Sequence, residues 1–214
     1  MLEAEVIFLI KENVYYRHIY QDLAESFSLP AIQEHLKPVR VLDRYFDTDD
    51  FQFLKAGSSF RVRERRFLSG RDSQGRLAIK TLSPENEKTK LTLLREERRL
   101  ILEGWHLNKI NEFFEMFGGM VIKKPLYAII AVEELSEEIQ LGQGEEHFHM
   151  SFDKVTYIDE ETYNHHTEYI LEVEGHGVPV AMLEEIGGYM LEKWPLEHTK
   201  RNKYQRGMTL LELI

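Results

Sequence analysis

Charged residues recur at every second position in four separated stretches of this chain, Glu3 and Glu5; Arg61 and Arg63; Arg95, Glu97 and Arg99; Glu172 and Glu174, with apolar residues between them in all but the third. A period of two is the mark of a β-strand, which sends alternate side chains to opposite faces. Each stretch is therefore predicted to be a strand with a charged face, set opposite an apolar one in all but the third. One such strand is ordinary, because a half-buried sheet turns its polar face to water. Four of them, carrying both signs, mean something different if the sheet closes on itself. The charged faces then line a common interior, where charges of one sign need partners of the other. An interior of mixed sign suits a polyphosphate with its divalent cation. Guanidinium and ammonium groups bind phosphate oxygens, arginine in bidentate fashion, and carboxylates hold hard ions such as Mg²⁺ or Mn²⁺.

The rest of the pattern supports closure. Besides 2–10, segments 39–46, 59–67, 77–80, 91–102, 121–132, 146–158 and 167–174 read as strands. Pro125 suggests an edge or a bulge in its segment. Helical spacing of apolar residues marks 15–27 and 107–117, and 179–193 reads as a helix opened by Pro179 and interrupted at Gly187-Gly188. The strands arrive as hairpin-linked runs and not as βαβ units, which favours an antiparallel sheet. The expected fold is α+β: about eight antiparallel strands closed into a barrel, a tunnel, with helices packed on the outside. No Pro-, Gly- or Ser-rich linker divides the chain, so one domain over 1–214 is expected.

Composition narrows the function. The net charge of −10 argues against nucleic acid or an anionic membrane surface as partner. The acidity is uneven: residues 54–100 hold 13 Lys and Arg against 6 Asp and Glu. With no cysteine, disulfides, thiolate catalysis and Cys-based zinc sites are excluded. The start of the chain does not read as a signal peptide, since Glu3 and Glu5 stand where positive charge belongs. No stretch approaches the ~20 apolar residues of a membrane span, and a cytoplasmic protein is expected. His147 and His149 share a strand face without a third ligand at supporting spacing, and are read as structural or exposed. The nucleotide-loop, zincin and nucleophile-elbow motifs are absent.

Six segments, in order, resemble those of the CYTH superfamily, the triphosphate tunnel metalloenzymes. They are "YFDT" with "FLKAGSSFRVRERR", "LAIKT", "LLREERRL", "FHMSFDKVTY", "YILEVEG" and "KRNKY", and together they cover most of the chain. The resemblance implies metal-dependent hydrolysis of a short linear triphosphate: inorganic tripolyphosphate, thiamine triphosphate or a nucleoside triphosphate. It implies phosphate binding by Arg61, Arg63, Lys80, Arg95 and Lys203, with Lys123 standing in for a further cation. It implies Mg²⁺ or Mn²⁺ at Glu3, Glu5, Glu172 and Glu174, with Glu97 and Asp153 as weaker ligands. Glu3, Glu5, Lys80 and Arg95 would be catalytic. One departure matters: the family's E-x-E-x-K signature reads Glu3-Ala4-Glu5-Val6-Ile7, so Ile7 replaces the lysine, and Lys11 is a distant substitute. A polyphosphate- or nucleotide-binding module without turnover is the alternative, followed by an adenylate cyclase of class IV type. Homodimerisation is left open.

Overall fold

The computed structural model describes residues 2–11, 16–32, 39–67, 74–102, 113 and 124–214. Its strands are β1 (Leu2–Ile10), β2 (Ala31–Ile32), β3 (Val39–Asp47), β4 (Ser59–Phe67) and β5 (Gln74–Leu82), then β6 (Leu93–Leu102), β7 (Tyr127–Gln143), β8 (Glu146–Asp159), β9 (His165–His176) and β10 (Glu197–Thr199). Among the described residues its α-helices include α1 (Tyr16–Ser26), α2 (Gln52–Lys55), α3 (Val180–Lys193) and α4 (Lys203–Leu210).

Eight strands pair in the order β1-β6-β5-β4-β3-β7-β8-β9, and β9 returns to β1, closing an antiparallel barrel. Closure leaves these strands without the exposed edges that invite aggregation. β1 is shared along its length. Leu2 to Glu5 pair with β6, and Ile7 to Leu9 pair with the short β10. β2 adds to β7 at Leu141 and Gln140.

Alternation sorts the side chains into an apolar outside and a charged inside. Val6 and Phe8 of β1, Phe148 and Met150 of β8 and Leu171 of β9 face outward. They pack under Ile19 and Leu23 of α1 and under Leu183, Ile186 and Met190 of α3. Phe60, Val62, Leu77 and Ile79 make a second outer cluster with Phe53 of α2 and Phe113. Burying one such side chain contributes about 1.5–3 kcal/mol, so the helices are held by what the strands turn outward.

A third cluster lies at one end of the barrel. There Ile7, Tyr45, Ile130, Tyr157 and Ile170 meet Tyr204 and Met208 of α4. Tyr204 stacks on Tyr45 with centroids 5.2 Å apart and 5° between planes, and its hydroxyl donates to Asp47 Oδ2 at 2.9 Å. α4 thus lies across this end and closes it.

Some boundaries differ from expectation. The helix over 180–193 is not interrupted at Gly187-Gly188. Gly187 is where α3 crosses β1, and a Cβ there would come within 3.2 Å of Val6 Cγ1 and Leu91 Cδ1. The glycine serves close approach and does not break the helix. The strand expected over 121–132 begins at Tyr127, past Pro125, and runs on to Gln143. The helix expected over 107–117 lies outside the described residues apart from Phe113. No helix among the described residues is long and apolar enough to cross a membrane.

Candidate functional site

A cavity of about 270 Å³ occupies the barrel interior. The inward positions of β1, β4, β5, β6, β8 and β9 bring Glu3, Glu5, Arg61, Arg63, Lys80, Arg95, Glu97, Asp153, Glu172 and Glu174 to its wall. Lys203 reaches it from the first turn of α4. That helix start is held by reciprocal bonds: Asn202 Oδ1 accepts from Gln205 N at 3.0 Å, and Gln205 Oε1 accepts from Asn202 N at 3.1 Å. Of the residues singled out from sequence, Lys123 alone lies outside the described residues.

The charges are paired with one another. Lys80 Nζ donates to Glu3 Oε1 at 2.5 Å, and Arg95 Nη2 donates to Glu5 Oε1 at 2.5 Å. Lys203 Nζ is shared by Glu134 (3.0 Å), Asp153 (3.0 Å) and Glu172 (3.2 Å). Arg63 grips Asp43 through Nε and Nη2, both at 2.7 Å, and Arg61 Nη1 reaches the same carboxylate at 3.0 Å. Glu97 lies 3.8 Å from Arg61 and 3.5 Å from Arg99. Glu174 faces His176 Nε2 at 3.5 Å.

Sequence reasoning missed several members. Asp43 is wholly buried and lies among Val39, Val41 and Tyr45 on the inward face of β3, so it reads as one acid on an apolar stripe. Glu134 and Glu138 belong to the part of β7 beyond Val132, where paired glutamates at 133–134 and 137–138 put charge on both faces and hide the alternation. Arg65, Arg76, His149 and His176 also line the wall, while Arg66 points outward to Glu64. Lys11 is exposed and does not line the cavity; Ile7 does.

Burial and pairing pull the acids apart. Burial pushes the Glu5 carboxyl up to about 7, against Arg95 and with help from Glu3 and Glu172. Burial acts on Asp43 in the same sense, yet Arg61 and Arg63 together hold it at about 2. Glu3 and Glu172 are likewise held below the ordinary range against burial, Glu3 by Lys80 and Arg95, Glu172 by Lys203 and Lys80. Burial raises Glu134 and Glu174 and lowers Lys80, opposed by Glu3.

The donor set fits a hard divalent cation. Its acidic ligands are all carboxylate oxygens, and two buried ones, Glu3 Oε2 and Asp153 Oδ1, receive no hydrogen bond. Among the described residues no three such side chains are arranged to hold a metal ion; Glu134, Asp153 and Glu172 do converge, but on the Lys203 ammonium.

Comparison with known proteins agrees with this architecture. The family described as the CYTH domain matches residues 14–179. The PH1819 protein from Pyrococcus horikoshii OT3 superposes with a TM-score of 0.58 at 18% identity over 99% of each chain. An adenylyl cyclase candidate from Hippeastrum, described as having a dominant triphosphatase activity, gives 0.57 at 17% identity over 97% of this chain and 95% of that one. A Bacillus halodurans adenylate cyclase candidate gives 0.53 at 18% identity, covering 95% and 96%. No curated protein matches in sequence.

Proposed function

The chain belongs to the CYTH domain family, and from that premise we propose that it hydrolyses a short linear triphosphate with the help of Mg²⁺ or Mn²⁺ inside the barrel cavity. The observation that carries this reading is the single enclosed wall on which Arg61, Arg63, Lys80, Arg95 and Lys203 face Glu3, Glu5, Glu172 and Glu174. Five cations converging from three strands and a helix match an anion of several charges, and buried carboxylates beside them match its metal.

In this scheme the five cations bind and orient the phosphate chain. They stabilise the charge that accumulates on the leaving phosphate as the anhydride bond breaks. Their ion pairs with the carboxylates hold them at the wall before the ligand arrives, and the ligand exchanges those partners for phosphate oxygens. Glu3, Glu5, Glu172 and Glu174 would hold the cation, with Glu97 and Asp153 beside them. When bound, such an ion neutralises phosphate oxygens and lowers the pKa of an attacking water. Glu5 must shed its proton to take part, so activity and metal affinity should rise as pH passes about 7. The cavity wall, built mainly of charged and polar side chains with Ile7, Val41 and Tyr45 as its apolar members, supports an inorganic anion as the ligand.

The test is phosphate release from tripolyphosphate with and without Mg²⁺ or Mn²⁺, alongside calorimetric binding. Metal-stimulated release is expected, and E172Q should reduce it by 100-fold or more, on the scale of an electrostatic catalytic group. Tight binding with no release under any metal would leave the second reading, a polyphosphate-binding module without turnover. One observation favours that alternative: Ile7, which the resemblance sets in place of a lysine, is 2% exposed and packed in the apolar cluster with Tyr45 and Tyr204. With ATP as ligand, cyclic AMP and pyrophosphate would indicate a cyclase, and ADP and phosphate a phosphatase.

A further inference from the structure

The charges of the cavity are not evenly mixed along its depth. Among the buried side chains at its centre, Glu3, Glu5, Asp43, Glu97, Glu134 and Asp153 outnumber Arg61, Lys80, Arg95 and Lys203. That excess of acid is the place for a metal cation. Towards the open end, on the wall made by β4, β5 and β6, the balance reverses. Arg65, Arg76 and Arg99 stand there, with side chains of Arg65 and Arg99 28% and 40% exposed.

Arg65 is engaged by Glu138 at 2.5 Å, and Arg99 lies 3.5 Å from Glu97. Arg76 makes no hydrogen bond or ion pair with any described residue. It stands directly opposite Arg63 in the β4–β5 ladder, where facing Cβ atoms lie ~4.5–5.5 Å apart and like charges repel. Burial, with Arg63 and Arg99 next, lowers its proton affinity. A half-buried guanidinium held against two others costs stability, and an anion arriving between them would remove that cost.

The far end of the barrel is closed by α4. A linear anion therefore enters end-on, and whatever exceeds the central ring lies along the rim. We propose that Arg76 and Arg99 form a second anion subsite, which takes the phosphates beyond the third of a linear inorganic polyphosphate. This rests on the triphosphate reading of the central ring and extends it to longer chains.

Calorimetry on the full chain with Mg²⁺, using inorganic tripolyphosphate, linear tetraphosphate and ATP against wild type and R76Q/R99Q, tests it. Wild type should bind tetraphosphate about tenfold more tightly than tripolyphosphate, the scale of one or two charge-assisted contacts. The double variant should bring the two ligands to parity and leave tripolyphosphate within about twofold. Equal binding of both inorganic ligands by wild type overturns the subsite and leaves the central reading intact. So does a preference that survives R76Q/R99Q. A gain for ATP in place of tetraphosphate overturns it too, by giving the rim to an organic group. If wild type binds none of the three, the central reading falls and takes the subsite with it.

Discussion

Glu5 and Asp43 are both buried acids beside arginine, yet they titrate in opposite directions, because Glu5 has one close guanidinium and Asp43 has two. The signs give the stability a maximum. The Glu5 carboxyl sits at about 7 in the folded chain against an ordinary 4.5, so its burial penalty is full above pH 7 and fades as pH falls towards 4.5. The Asp43 carboxyl sits at about 2 against 3.8. Its contribution is full above 3.8 and is lost as pH falls through 2. Denaturant unfolding of the ligand-free protein should therefore be hardest near pH 4, between the ordinary values of 3.8 and 4.5, with stability declining on both sides. E5Q should flatten the alkaline limb and stabilise the protein at pH 8 by about 2–3 kcal/mol. D43N should destabilise by about 3–5 kcal/mol at pH 7, since it strands two buried guanidiniums. A pH profile unchanged by E5Q would show that burial of Glu5 is not what shapes it. At this scale the arginines of "FRVRERR" were legible because each alternate position carries charge. Asp43 was not, because its partners come from a neighbouring strand and a single acid leaves no period.

Element boundaries were legible where one face is apolar and obscured where both are polar. β1, β4 and β9 follow their alternation closely, whereas β7 runs 17 residues through a stretch whose glutamates face both ways. α4 was visible only as a short Lys-Tyr motif, with nothing in its residues to say that it covers an end of the barrel. That role depends on Tyr45 and Tyr157, which are remote in sequence. Two substitutions probe it. At Gly207 an added Cβ would sit 2.5 Å from Ile130 Cδ1 and 2.7 Å from Tyr157 Cδ1. The gain in helix propensity from Gly207→Ala, up to ~1 kcal/mol, competes with overpacking of 1–3 kcal/mol. The rigid Tyr157 ring decides the sign, so G207A should melt several degrees below wild type in a calorimetric scan. Lys203→Met removes the one ammonium shared by Glu134, Asp153 and Glu172. It should cost about 3–5 kcal/mol at pH 8 and less at pH 5, because the Glu134 carboxyl, raised by burial, is the first of them to lose its charge as pH falls. Equal losses at both pH values would argue that packing, not charge, accounts for the effect.

Over the whole molecule, the cavity keeps its cations and carboxylates neutralised by each other. A metal ion must take carboxylates from lysine and arginine, and an anion must take lysine and arginine from carboxylates, so each frees the partner the other needs. The two ligands should therefore bind cooperatively, and reciprocity requires the same factor in both directions. Tripolyphosphate should raise Mg²⁺ affinity by 5–150-fold, the usual range for such coupling, and Mg²⁺ should raise tripolyphosphate affinity equally, as thermal shifts with either ligand, both or neither would reveal. Additive shifts would mean that the ion pairs stay intact. The closed barrel was legible because every charged stripe needed the same interior, but its depth profile was not, since exposure depends on strand stagger and on what covers each end.

With α4 shut across one end, the chamber has a single doorway. In the proposed hydrolysis, a spent phosphate would have to back out past the arginines that drew its parent in before a fresh chain could follow. Traffic through that door would then set the pace of turnover, and adding free phosphate should slow it as surely as removing a catalytic group.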